Sequence, residues 1–116
     1  MKPNPDPLEK YIEDKVCAYA KELGCLVYKF TSPARRSVPD RLLIMPQGKG
    51  VFFIEFKRKG QKPTPAQAVE ISKIMEKGTP VFVVDSVDEG KRVINKLVVA
   101  QFKPTYQAGM LTVDDY

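Results

Sequence analysis

Histidine is absent from the 116 residues, and cysteine occurs only twice. The missing imidazole excludes Ser-His and Cys-His nucleophilic chemistry, a histidine general base and any zinc site that needs histidine. Cys17 and Cys25 are too few for a four-cysteine zinc site or a disulfide scaffold. No apolar run approaches the roughly 18–20 residues of a membrane span. The N-terminal stretch is polar and proline-rich, unlike a hydrophobic signal core. A reduced, cytoplasmic protein with no membrane partner is expected.

Acidic residues are scarce in the middle of the chain. Between Lys29 and Lys62 there are nine basic residues against two acids, Asp40 and Glu55. That segment carries +7 within a chain of net charge +5. A central basic segment suits a polyanion, and nucleic acid is the default partner. Hydrophobic residues make up 43% and charged residues 28%, which argues against wholesale disorder. The length fits one domain, expected over residues 1–100. The tail 101–116 has no clear period, and it is open whether it packs back, joins a partner subunit or stays mobile.

The pattern along the chain is α-β-β-β-α-β-α. Asp6 and Pro7 can start a helix whose apolar residues are Leu8, Ile12, Val16, Tyr19 and Leu23, and Gly24 ends it. Cys25–Phe30 reads as a strand, and Thr31–Pro39 as a loop. Asp40–Met45 and Val51–Lys57 read as a hairpin about the turn 46–50. Thr64 caps a second helix, with Pro65 as its first residue, running to Lys77 before Gly78. Pro80–Val84 is a fourth strand, and Ser86 caps a last helix. A hairpin followed by a helical crossover implies an α/β fold with a mixed sheet flanked by helices.

On the third strand Glu55 and Lys57 share a face, about 7 Å apart by strand rise, while Ile54 and Phe56 point into the core. If Met45 faces Val51, Asp40 falls opposite Phe56, one residue from Glu55. A bulge or one-residue shift would bring both carboxylates to one side. Two close carboxylates make an oxygen site for a hard cation such as Mg2+ or Mn2+. Such an ion is what phosphodiester hydrolysis needs, and a neighbouring lysine can orient or help deprotonate the attacking water. Taken alone, Glu-X-Lys is an ordinary surface ion pair worth about 0–1 kcal/mol. Pro39-Asp40, a gap of fourteen residues and then Glu55-Phe56-Lys57 in a basic region is far more specific.

That pattern resembles the PD-(D/E)xK nuclease superfamily. More narrowly, the run from Phe30 to Gln67 is similar to the virus-type replication-repair nuclease (VRR-NUC) domain in its standalone form, with the resemblance covering roughly residues 8–98. It implies a restriction-endonuclease-like core and a metal-dependent, structure-specific DNA endonuclease. It further implies a homodimer that cuts four-way junctions as Holliday-junction resolvases do, with Mg2+ or Mn2+ and no organic cofactor. By resemblance, Asp40 and Glu55 are metal ligands, the Phe56 carbonyl completes the inner sphere, and Lys57 is the motif lysine. Glu13 best matches a further carboxylate on the first helix, with Glu9 one turn earlier in reserve. Gln67 matches a glutamine whose amide holds a phosphate or a metal-bound water. Lys29 and Ser37 sit where the family places polar site residues.

Arg35, Arg36 and Arg41 are candidates for phosphate contact, and Arg58, Lys59 and Lys62 could extend the track. No recognition helix or finger pattern is present, which fits selection by shape rather than by base sequence. The competing readings are a flap- or nick-directed endonuclease, a non-catalytic DNA-binding module, a sequence-specific restriction-type nuclease and a generic basic α/β protein.

Overall fold

Apolar residues at helical spacing, with a glycine just past the end, produce helix α1, Pro7–Glu22. Gly24 takes φ +94°, the left-handed conformation glycine adopts without a Cβ clash. Its N–H donates to Lys21 O, and Cys25 N–H donates to Ala20 O, which satisfies two of the carbonyls in the last turn of the helix. This computed structural model describes residues 7–99. Asp6 as a helix cap and the expectations for the tail 101–116 lie outside them.

Four strands follow: β1 (Leu26–Lys29), β2 (Arg41–Ile44), β3 (Val51–Phe56) and β4 (Val81–Val84). They form one sheet in the order β1-β2-β3-β4. The first two pairings are antiparallel, and β4 runs parallel to β3. A parallel neighbour requires a crossover, supplied by α2 (Pro65–Glu76). Helix α3 (Val87–Ile94) runs on into a π-helical turn, Asn95–Val99. The mixed sheet with helices is the expected α/β architecture. The strands end slightly inside their expected bounds because pairing thins to single bonds at their edges. Phe30 N–H still reaches Asp40 O at 2.9 Å, and Lys57 N–H reaches Val84 O at 2.9 Å.

One face of the sheet carries the core. Leu43, Phe52, Ile54, Phe56 and Val84 meet Ile12, Val16, Cys17 and Ala20 of α1 and Ile94 of α3. The two helices approach closely at Gly90, where an added Cβ would land 2.9 Å from Val16 Cγ1 and nearer still to Cγ2. Helix α2 buries no residue fully. Leu26, Tyr28 and Val51, on the other face by strand alternation, and Val69 and Met75 on α2 are exposed. The β2–β3 turn is tied to the end of the last helix, because Lys49 Nζ donates to Val98 O.

Candidate active site

The hairpin pairs Ile44 with Val51 and Arg41 with Ile54, one residue away from the expected partnership of Met45 with Val51. The turn explains the shift. Met45 N–H donates to Gly50 O at 2.8 Å, so Met45 faces Gly50. A 3-10 turn at Pro46–Gly48 then packs the intervening residues, with Gln47 at φ 61° and Gly50 at φ 114°. Continued by one residue, this register sets Asp40 opposite Glu55. Pro39 has no N–H to donate, and the ladder stops there. The Phe56 N–H instead donates to Asp40 Oδ2 at 2.8 Å. The aspartate is thereby fastened to the strand that carries the second acid.

Glu55 is 1% exposed and its Oε1 is enclosed. A buried carboxylate is costly unless it is compensated. Lys57 Nζ lies 3.3 Å from Glu55 Oε2. The same ammonium donates to Gln67 Oε1 at 2.7 Å. Gln67 stands in the first turn of α2, in a capping box with Thr64. The Thr64 N–H donates to Gln67 Oε1 at 2.9 Å, and the Gln67 N–H donates to Thr64 Oγ1 at 3.2 Å. Asp40, Glu55, Lys57 and Gln67 therefore meet at one end of the sheet.

Glu13 is placed differently. It is 9% exposed, and it accepts a 2.6 Å hydrogen bond from Arg41 Nε. Arg41 is level with buried Ile54 and so points to the helix side of the sheet, whereas Glu55 points to the opposite side. Burial works to lower the Arg41 pKa. The hydrogen bond and charge of Glu13, with further negative charge nearby, outweigh burial and raise it. Among the described residues no three acids or thiols gather as they would around a metal. The structure pairs with each other the two residues that the sequence offered as a metal ligand, Glu13, and a phosphate contact, Arg41. Glu9 is half-buried one turn earlier on the same helix. Lys29 pairs with Arg41 in register and alternates to that same helix side, away from Glu55. Cys17, one turn beyond Glu13, is buried, and burial pushes its thiol up to about 11 against the opposing pull of Arg41. Both cysteines are free.

The arginine-rich loop is joined to α2. Arg35 donates to Glu70 at 2.9 Å. Glu70 lies three residues after Gln67, on the same face of the helix. Sequence reasoning passed over Glu70, whose one signal was that helical spacing. Arg36 is exposed and Ser37 half-buried. Arg58, Lys59 and Lys62 are exposed on the segment leaving β3, where Gly60 N–H donates to Asp85 Oδ2 at 3.1 Å.

The donor set fits a hard divalent cation. Asp40 and Glu55 offer carboxylate oxygens from adjacent strand positions, with no sulfur or imidazole among them. A Mg2+-type site takes one or two carboxylates and leaves the other positions to water and substrate phosphate.

No protein-family model matches the chain. The chain is 43% identical over 83 residues to "Putative nuclease p44" of Acyrthosiphon pisum secondary endosymbiont phage 1, covering 72% of this chain and 84% of that protein. A solved structure titled "VRR_NUC domain" superposes with a TM-score of 0.71 at 31% identity, over 78% of this chain and 97% of that one. A second, "VRR_NUC domain protein", gives a TM-score of 0.63 at 18% identity over 82% and 91% of the two chains, and shows the shared fold. With its sheet order, its paired acids and these relatives, the chain belongs to the VRR-NUC domain family of nucleases.

Proposed function

We propose that the protein is a divalent-metal-dependent endonuclease that hydrolyses phosphodiester bonds in branched DNA, with Asp40, Glu55 and Lys57 at its centre. The observation that carries the reading is the hairpin register, which sets Asp40 opposite Glu55 while Lys57 stands 3.3 Å from that glutamate. Asp40, Glu55 and the Phe56 carbonyl would hold Mg2+ or Mn2+. When bound, the ion supplies charge neutralisation at the scissile phosphate and lowers the pKa of an attacking water.

The chain's own residues do the remaining work. The Phe56 N–H orients the Asp40 carboxylate. Lys57 offsets the buried charge of Glu55 and presents its ammonium to the attacking water or the phosphate. Arg36, Arg58, Lys59 and Lys62 give the backbone contacts that position DNA without reading sequence. Ser37 adds a polar contact at the mouth of the site. Arg35 can join them by exchanging the Glu70 carboxylate for a phosphate. Lys29 and Arg41, on the helix side, take no part in this track, and Glu13 serves Arg41 rather than the metal.

Residues 1–100 would form the single nuclease domain, working in the cytoplasm of a bacterial or phage-infected cell. Among the described residues no helix is long and apolar enough to cross a membrane. A homodimer would suit paired nicks across a four-way junction. The exposed apolar residues Leu26, Tyr28 and Val51 of the sheet support such an assembly.

The deciding experiment is cleavage of a labelled four-way junction beside linear duplex, flap and single-stranded controls. It is run in Mg2+, Mn2+ and EDTA, with wild type and Lys57→Ala. Paired metal-dependent nicks in the junction, lost in the variant, are expected. Cleavage of flaps or nicked duplex instead moves the substrate and keeps the nuclease. Tight binding without cleavage in either metal replaces the reading with a DNA-binding module.

A further inference from the structure

In an ordinary capping box the third helical residue satisfies one orphan backbone N–H and does nothing more. In α2 that atom has a second duty. Gln67 Oε1 accepts from Thr64 N–H at 2.9 Å and from Lys57 Nζ at 2.7 Å. A side-chain amide oxygen has two lone pairs, and both are used. This oxygen has no capacity left for a metal-bound water, and only the amide N–H groups could turn to a phosphate. Lys57 has a flexible four-carbon stem that does not fix its own head. Its side chain is 13% exposed, held between Glu55 Oε2 and Gln67 Oε1.

We propose that Thr64 and Gln67 are positioning residues, and that the capping box of α2 is the device that fixes the Lys57 ammonium beside Glu55. Forming the first turn of α2 and ordering the active-site lysine are then one event. The inference rests on the nuclease reading and gives Gln67 a role that acts through Lys57.

The test separates helix capping from lysine holding. Gln67→Glu keeps the acceptor and the capping box. Gln67→Asp keeps an acid that favours a helix N-terminus but is a methylene too short to hold Lys57. Three quantities are read on the full chain: single-turnover cleavage of branched DNA in Mn2+, DNA affinity in EDTA, and the thermal midpoint. Gln67→Asp should keep the midpoint within about 2 °C and DNA affinity within about twofold. Its cleavage rate should fall about tenfold or more, as expected when a catalytic group is misplaced. Gln67→Glu should restore most of the rate. On a Lys57→Ala background Gln67→Asp should change the residual rate by less than about twofold, because its target is gone. A full additive loss on that background, or a fall in DNA affinity that accounts for the rate, overturns the proposal.

Acetylation by acetic anhydride with peptide mapping reads Lys57 without any cleavage. Relative to Lys59 and Lys62, Lys57 should label slowly in wild type and Gln67→Glu, and about threefold faster or more in Gln67→Asp once its head is released. Unchanged labelling in Gln67→Asp overturns the proposal even for a protein that cuts nothing. The predicted labelling in a protein that cuts no DNA would instead sink the nuclease reading and leave the lysine holder standing.

Discussion

Replacing Arg41 by methionine would leave Glu13, 9% exposed, facing the protein interior without its partner. Removing one member of a buried pair costs about 3–5 kcal/mol, mostly for the stranded charge. Arg41 keeps 21% of its side chain in solvent, and Glu13 12%. The lower end of that range, about 3 kcal/mol, is therefore expected. With a urea m-value of about 1.5 kcal/mol/M, the unfolding midpoint falls by about 2 M. The chain has no tryptophan, so far-ultraviolet circular dichroism is the suitable probe. The double variant Glu13→Leu/Arg41→Met should recover most of the loss, because an apolar pair of similar volume replaces a buried ion pair at little cost. Mn2+ binding measured by calorimetry on Glu13→Gln completes the test. A loss under about 1 kcal/mol for Arg41→Met would mark the pair as a solvent-screened contact. Abolished Mn2+ binding with unchanged stability in Glu13→Gln would make Glu13 a ligand and refute the geometry argued above.

Gly90→Ala should destabilise the protein by about 1–3 kcal/mol through overpacking against Val16, despite the better helix propensity of alanine. Val16→Ala should relieve that clash in the double variant, and additive losses in thermal melts would count against it. Arg35→Ala, whose side chain is 55% exposed, should cost no more than about 1 kcal/mol; a larger midpoint shift would show that the arginine-rich loop is anchored more firmly than this ion pair allows. Cys17 carries a pH signature. Its thiol is held at about 11 in the fold against a reference value of 9.0, so unfolding releases the proton first. The stabilisation is full below pH 9 and is lost as pH rises through about 11, with a total of about 3 kcal/mol. Urea titrations across that window should show a steeper fall in wild type than in Cys17→Val; parallel curves would dismiss the effect.

What could be read from the sequence was local chemistry. Thr64-Pro65 announces α2, because a cap and a first-turn proline act between near neighbours. Gly24 and Gly78 mark helix ends for a similar reason, both adopting positive φ. The paired acids were legible as residues but not as a register. Composition marks Pro46–Gly50 as a turn, yet only the left-handed Gln47 and the 3-10 turn decide that Met45 faces Gly50. The Glu13–Arg41 pair joins residues 28 apart in sequence, and no pattern along the chain reports on it. Seen alone, a glutamate on a helix near a basic loop is as good a ligand as an ion-pair partner. The lysine holder was half visible. The cap could be read in Thr64, but the meeting of Gln67 with Lys57 depends on how α2 meets the end of β3.

The turn between β2 and β3 works as a counter. Strand side chains alternate with a period of two, so sliding the hairpin by one position exchanges its two faces. In the present register Glu55 faces Asp40, and the flanking Ile54 and Phe56 are sealed in the core. Deleting one residue from 46–50 would push the acid of one strand toward an apolar neighbour of the other. It would also force the core either to expose a phenylalanine or to swallow a carboxylate. Substitutions that respect the turn's positive-φ positions leave the count intact. The chemistry of this site is therefore stored partly as a number, the length of a surface turn at the far end of the hairpin from the residues it aligns.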